Sequence, residues 1–221
     1  MLQNYRDVLF SLGVAIVLAA IIRLFMFSVY KVPMSSMQPN LVAGDFVIAF
    51  KLPYGFHLPF LLEDKVFVFS RPERGEVFVF KLPGDDNIKY IKRIVALAGD
   101  KVEIKDDVLY INDMPAEYEP IKTQQDDYMQ IKWEIHGKMK HKVSTMLKDK
   151  PYNYGPFTVP EKSVFVLGDN RDASDDSRYW GAVAVENMEA KVFGIWFSVE
   201  VKSKNNSRLG KIRWQRIFQG I

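Results

Sequence analysis

Lys89-Tyr90-Ile91-Lys92-Arg93-Ile94-Val95-Ala96-Leu97-Ala98-Gly99-Asp100 is the stretch on which the fold and the chemistry both turn. Its β-branched and aromatic residues, closed by Gly-Asp, read as a strand running into a turn. Side chains alternate faces along a strand, so Tyr90, Lys92 and Ile94 point the same way. If that face is buried, Lys92 is desolvated and its ammonium form is disfavoured. A lysine brought down to a pKa of about 7 to 8 can accept a serine proton near neutral pH. Such a lowering costs about 4 kcal/mol of folding free energy, which a protein carries for a purpose. On a solvated face the same lysine is an ordinary surface cation.

On either side lie further short runs of β-branched and aromatic residues, punctuated by Gly, Pro and Asp: 46–50, 66–69, 77–81, 101–104, 108–111, 163–167 and 191–199. Asp106-Asp107 is placed to turn a hairpin between two of them. The expected body is mainly β, an antiparallel sheet. Residues 112–161 are polar, rich in Lys, Gln, Asp and Tyr, and show no sustained helical or alternating period. They read as a smaller, β-containing lobe inserted into the core. The expected division is an N-terminal segment and anchor over 1–28, a core from 29–111 with 162–221, and the insertion between.

The chain has 221 residues, room for an anchor and one sizeable body. Thirty basic against 27 acidic residues give a net charge of +3, well short of a nucleic-acid-binding field, and no nucleic-acid partner is expected. The absence of cysteine excludes disulfide frameworks, cysteine proteases and thiolate metal sites.

Residues 8–27 are apolar except for Ser11, Gly13 and Arg23, close to the roughly 20 residues that cross a hydrocarbon core. The expectation is one transmembrane helix. Arg23, near its end, can snorkel to the headgroups. A cleaved signal peptide would need small residues after the run, where Leu24, Phe25 and Met26 stand instead. Flanking charges leave orientation open, because Asp7 offsets Arg6, and Lys31 follows the run. The tail from 208 to 221 mixes Lys211, Arg213 and Arg216 with Ile212, Trp214, Ile217 and Phe218. It suits a membrane interface and, equally, a segment packed on the body.

Three histidines, His57, His136 and His141, form no metal-binding pair, and no G-x-S-x-G elbow is present. His136 and His141, in the lysine-rich insertion, read as solvated, and His57 as structural. Neither a metal nor a cofactor is expected. Two hydroxyls, Ser35 and Ser36, lie between Pro33 and Pro39, where the backbone is rigid and extended. The polar stretch from Gly168 through Asp169, Asn170, Arg171, Asp172, Ser174, Asp175, Asp176 and Ser177 to Arg178 follows an apolar strand. Its arginines would compete with a cation for the carboxylates, so it reads as an Asp–Arg network lining a site.

The three segments together resemble the bacterial type I signal peptidase family, in which S-M-x-P-T-L, Y-I-K-R-x-V-x-L-P-G-D and G-D-N-R-D-x-S-x-D-S-R recur in this order. The resemblance runs from the apolar helix through Arg74-Gly75-Glu76-Val77 to Arg213-Trp214, with the insertion only loosely matched. It implies a membrane-anchored serine endopeptidase with Ser36 as nucleophile and Lys92 as general base. Ser174 would orient the base, with Asp176 and Arg178 as the supporting pair and Arg93 beside them. This is nucleophile, base and orienter without imidazole.

Some members carry a serine two residues before the nucleophile, whose hydroxyl helps hold the oxyanion. Met34 stands there and cannot donate that bond, so the Ser36 N–H must do more, aided by the Met34 N–H or a water. Asn40 replaces the common threonine and Ala98 the common proline. The resemblance further implies exported preproteins as substrates, cut after small-x-small sequences in shallow apolar pockets. Tyr30, Val32, Met34, Met37, Leu41, Tyr90 and Ile91 are the expected lining. The N-terminus would lie inside the bacterial inner membrane and the body outside, with the lipid bilayer as the other partner and a monomer as the expected state. Two rivals predict other features. A self-cleaving Ser-Lys protease of the repressor type needs a DNA-binding head where this chain has an apolar run. A membrane-tethered β-domain without catalysis needs Lys92 to titrate like any lysine.

Overall fold

The computed structural model describes residues 2–51, 71–82, 85–121, 129–147, 150–201 and 210–221, with the side chains of 2–4, 6, 21–25 and 85–87 left out. The strand expected at 66–69 and the structural reading of His57 lie outside the described residues, as does the side chain of Arg23.

Helix α1 (Leu2–Phe25) leads into β1 (Phe27–Lys31). The helix ends before residue 27 because Phe27, Val29 and their neighbours pair in antiparallel register with β2 (Asp45–Phe50), Phe27 opposite Phe50. Apolar side chains along α1 stand exposed, Phe10 at 75% and Leu9 at 67%. Among the described residues no helix is long and apolar enough to cross a membrane.

The remaining strands are β3 (Val77–Leu82), β4 (Asp85–Leu97), β5 (Lys101–Lys105), β6 (Val108–Ile111), β7 (Met114–Pro115), β8 (Glu117–Pro120), β9 (Met129–His136), β10 (Met139–Met146), β11 (Tyr154–Thr158), β12 (Ser163–Leu167), β13 (Val183–Ala184) and β14 (Met188–Ser198). A one-turn helix, α2 (Ser177–Trp180), follows β12. Seven strands form the main antiparallel sheet in the order β1-β2-β14-β3-β4-β12-β13. Strand β3 is buried on both sides, which explains its unbroken apolar run. Val77 and Val79 pack with Val32, Met37, Leu41 and Val47 on one face, and Phe78 and Phe80 pack with Ile94, Val164 and Met188 on the other.

A four-stranded sheet, β11-β5-β6-β7, draws strands from both sides of residue 112 around a core of Val102, Ile104, Leu109 and Phe165. Asp106 and Asp107 turn its hairpin with φ of 49° and 65°, the positive angles of a type I′ turn. Beyond it, β8, β9 and β10 form a third sheet. The β9–β10 hairpin is regular, paired from Met139 opposite His136 to Met146 opposite Met129. Its period escaped the sequence reading because Glu134, His136 and His141 are among its buried positions, so no apolar alternation shows. The expectation of solvated histidines is corrected here: His136 and His141 are buried, with 8% and 4% exposure.

Part of the tail packs on the body. Arg213 and Arg216 converge on the fully buried Asp45, which also accepts from Ser198, so this part packs on the body. Trp214 and Phe218 stay exposed, with Phe218 edge-on to Trp196 at 5.6 Å.

Candidate active site

Lys92 lies mid-strand on β4 opposite Phe78, between Tyr90 and Ile94 on one face, as strand alternation requires. It is 1% exposed, and its Nζ sits 5.6 Å from the centre of the Tyr90 ring. Burial lowers its pKa to about 8, against the pull of Asp176, Asp175 and Asp169, with Arg178 adding to the lowering. No hydrogen bond or ion pair among the described residues holds its Nζ.

Arg93, next along the strand, faces the other way. It makes a bidentate pair with Asp169 at 2.8 Å for each bond and donates to the Gly75 carbonyl. Two adjacent basic residues therefore have opposite roles: one cation is fully paired, and the other is left near deprotonation.

Asp176 is fully buried and caps α2. It accepts from Ser174 Oγ at 2.7 Å, Gly168 N at 2.9 Å and Arg178 Nε at 2.7 Å. Because the Ser174 hydrogen goes to Asp176, the lone pairs of that hydroxyl remain open to a donor. Ser177 Oγ accepts from Val166 N, tying the loop back to β12.

Gly168 is the meeting point. Antiparallel pairing sets Leu167, the residue before Gly168, opposite Arg93, the residue after Lys92. A Cβ at Gly168 would lie 2.1 Å from Ser174 Oγ and 2.5 Å from the Ser36 carbonyl oxygen. Ser36, Ser174 and the Lys92 strand thus crowd one glycine. Ser36 itself is half-buried, its carbonyl accepting from Asn170 N at 3.0 Å. Its own N–H donates to no acceptor among the described residues.

Beside Ser36 opens a cleft of about 90 Å³, lined by Tyr30, Val32, Met34, Met37, Tyr90 and Ile91, all expected from sequence, and also by Val79 and Lys89. The cleft is small, and its lining is mostly apolar. Leu41 is not in the lining; it lies fully buried in the core beneath the segment. At the rim Lys89 pairs with Glu189 at 2.7 Å, and Tyr30 donates to the same carboxylate. Burial, then the Glu189 charge, pushes the Tyr30 hydroxyl up to about 12.

The sequence matches the family described as "Signal peptidase, peptidase S26" over residues 5–197, an interval that contains every one of these groups. The chain belongs to the S26 signal peptidase family. It is 35% identical to a signal peptidase I of Rickettsia akari over 215 residues, covering 89% of this chain and 81% of that one. It is likewise 35% identical to a signal peptidase I of Pseudomonas fluorescens, covering 87% and 74%. A crystal structure of a signal peptidase I from Enterococcus faecalis V583 aligns with a TM-score of 0.36 and 30% identity, over 55% of this chain and 96% of that one. An S26 signal peptidase is a serine endopeptidase that removes signal peptides from exported proteins. In this signal peptidase Asn40, Glu134 and His141 carry more than the sequence reading gives them: Asn40 stands there only as a replacement for the common threonine, His141 as a solvated histidine, and Glu134 lies in a stretch without visible period.

Proposed function

We propose that this signal peptidase cuts preproteins after small-x-small sequences with Ser36 as nucleophile and Lys92 as general base. The observation that carries the reading is a lysine buried to 1% exposure, lowered to about 8, with no ion-pair partner among the described residues, on a strand that meets Ser36 across Gly168. Neutral Lys92 takes the Ser36 proton as Oγ attacks the scissile carbonyl, and the ammonium then returns that proton to the leaving amine. Ser174, its hydrogen committed to Asp176, keeps its lone pairs open to a donor, and in this reading Lys92 Nζ turns to donate to it as the substrate binds, which sets the direction of the lysine lone pair. The Ser36 N–H, without an acceptor among the described residues, is the donor for the forming oxyanion. Met34, 55% exposed, supplies no side-chain donor, so the oxyanion hole is built from backbone. A water then hydrolyses the acyl-enzyme with Lys92 again as base.

The cleft favours small side chains by excluding large ones. The described residues of α1 do not by themselves meet the length and apolarity of a membrane span, so the anchor in this reading rests on the apolar run of residues 8–27 in the sequence, close to the roughly 20 residues that cross a hydrocarbon core. That run would hold the body on the outer face of the bacterial membrane, where the apolar segment of a substrate ends.

The test is incubation of the full chain in detergent micelles with a preprotein bearing an Ala-x-Ala site. Cleavage by the wild type and none by Lys92→Ala is expected. Equal cleavage by both removes Lys92 from the mechanism, and no wild-type cleavage defeats the reading.

A further inference from the structure

We propose that Asn40 is a positioning residue through which the β9–β10 hairpin holds the Ser36 segment in place. The proposal rests on Ser36 being the nucleophile. The two hydrogens of the Asn40 amide are both engaged: Nδ2 donates to the Lys142 carbonyl of β10 at 2.7 Å and to Asp169 Oδ2 at 2.7 Å. From the opposite side, the Asn40 carbonyl accepts from Arg216 at 2.8 Å. Asn40 thereby joins the hairpin, the loop after β12 and the C-terminal tail.

A second contact runs in parallel. Ser144, also on β10, donates through Oγ to the Gln38 carbonyl at 3.2 Å. Its backbone N–H donates to the Asp169 carbonyl, and its own carbonyl accepts from Arg171 N, both at 2.9 Å. Between Asp169 and Arg171 lies Asn170, whose N–H holds the Ser36 carbonyl and whose side chain donates to the Ser35 carbonyl at 3.3 Å. The hairpin therefore touches the nucleophile segment at Gln38 and Asn40 directly, and at Ser35 and Ser36 through one intervening loop.

The hairpin is itself held firmly. Glu134 of β9, fully buried, takes two 2.5 Å bonds from Arg171 and one of 2.7 Å from Tyr118. The Arg171 charge holds the Glu134 carboxyl down at about 2 despite its burial. A buried, charge-assisted pair of this kind resists sliding, because moving either partner leaves an uncompensated charge. A segment that is polar and aperiodic in sequence thus acts as a buttress for the nucleophile.

A threonine at position 40 has a single hydroxyl hydrogen and can serve only one of the two acceptors. The asparagine is what allows both Lys142 and Asp169 to be engaged at once. Displacement of a nucleophile by about 1 Å can cost on the order of a hundredfold in rate, so loss of the double bond should register in turnover.

The experiment compares Asn40→Ala, Asn40→Thr and Ser144→Ala in the full chain in micelles. Cleavage of an Ala-x-Ala preprotein gives kcat and KM, and hydrogen exchange reads the amides of residues 35–41. Asn40→Ala is expected to lower kcat about tenfold or more with KM within about twofold. Asn40→Thr should recover part of the loss, and the apparent pKa of the rate profile should not move, because Lys92 is untouched. Exchange over 35–41 should quicken in Asn40→Ala and, less, in Ser144→Ala. Unchanged kcat and unchanged exchange in Asn40→Ala overturn the proposal while leaving wild-type cleavage, and so the enzyme reading, intact. If Asn40→Ala fails to fold, Asn40→Thr and Ser144→Ala decide: wild-type kcat and exchange in both overturn it. Exchange reports on the clamp even if no cleavage is seen, so failure of the enzyme reading is distinguished from failure of this one.

Discussion

Replacing Lys92 with methionine should make this protein more stable as it destroys its activity, by an amount that depends on pH in a calculable way. The folded state lowers the Lys92 pKa from 10.5 to about 8, mainly by burial. Between those values the unfolded chain binds the proton more tightly than the folded one, so stability rises with pH across that window. At pH 7 both states are mostly protonated and the full penalty applies, about 3 kcal/mol from the two pKa values. The same relation leaves about 2 kcal/mol at pH 9 and under about 1 kcal/mol at pH 10. Methionine has a similar volume, is apolar, and suits the surroundings of Phe78, Tyr90 and Ile94, so it escapes the penalty without opening a cavity. Urea unfolding of the full chain in micelles, followed by tryptophan fluorescence, would measure the difference at each pH. Lys92→Met should be more stable by about 3 kcal/mol at pH 7, with the gap closing towards pH 10. A variant less stable than wild type at pH 7, or a gap that ignores pH, would refute the account of Lys92 as a desolvated base.

The rate of preprotein cleavage should rise about tenfold from pH 7 to pH 9 as the neutral fraction of Lys92 grows from about one-tenth to nine-tenths, and a flat profile would remove it as base. Gly168→Ala drives a methyl group into Ser174 Oγ and the Ser36 carbonyl, so activity should fall on the order of a hundredfold. Chemical unfolding should show a loss of about 1 to 3 kcal/mol for the same variant, and wild-type kinetics would place the two serines apart. His141, buried between Glu134, Asp169, Arg93 and Arg171, is lowered to about 4, first by burial and then by Arg93. The unfolded chain takes up that proton first, so wild type should lose about 3 kcal/mol as pH falls from 6.5 to 4. His141→Leu should lack that part of the slope; identical slopes would show that His141 is already charged or exposed.

Much of this architecture follows from local pattern, and the exceptions share one cause. The run Val77-Phe78-Val79-Phe80 announces a strand buried on both faces, and Tyr90-Ile91-Lys92-Arg93 puts its two cations on opposite faces by alternation alone. Asp106-Asp107 marks a turn because short polar side chains tolerate positive φ. The β9–β10 hairpin was not legible because its buried side holds Glu134, His136 and His141, whose burial depends on partners far along the chain: Arg171 for the carboxylate and the Asp169 loop for His141. The same distance hid Asn40, whose importance comes from Lys142, Asp169 and Arg216, more than 100 residues away. Leu41 misled for a simpler reason. It neighbours the nucleophile segment in sequence, but the turn after Met37 sends it into the core beneath Ser36.

The central claim is that Ser36 becomes covalently acylated, and mass spectrometry tests it most directly. Wild-type protein treated with a serine-acylating probe and digested should carry the added mass on Ser36, with Ser35 unmodified. Ser36→Ala should carry none, and Lys92→Met should acquire it far more slowly. Modification of Ser35 in the wild type, or equal labelling of Ser36→Ala, would contradict the account.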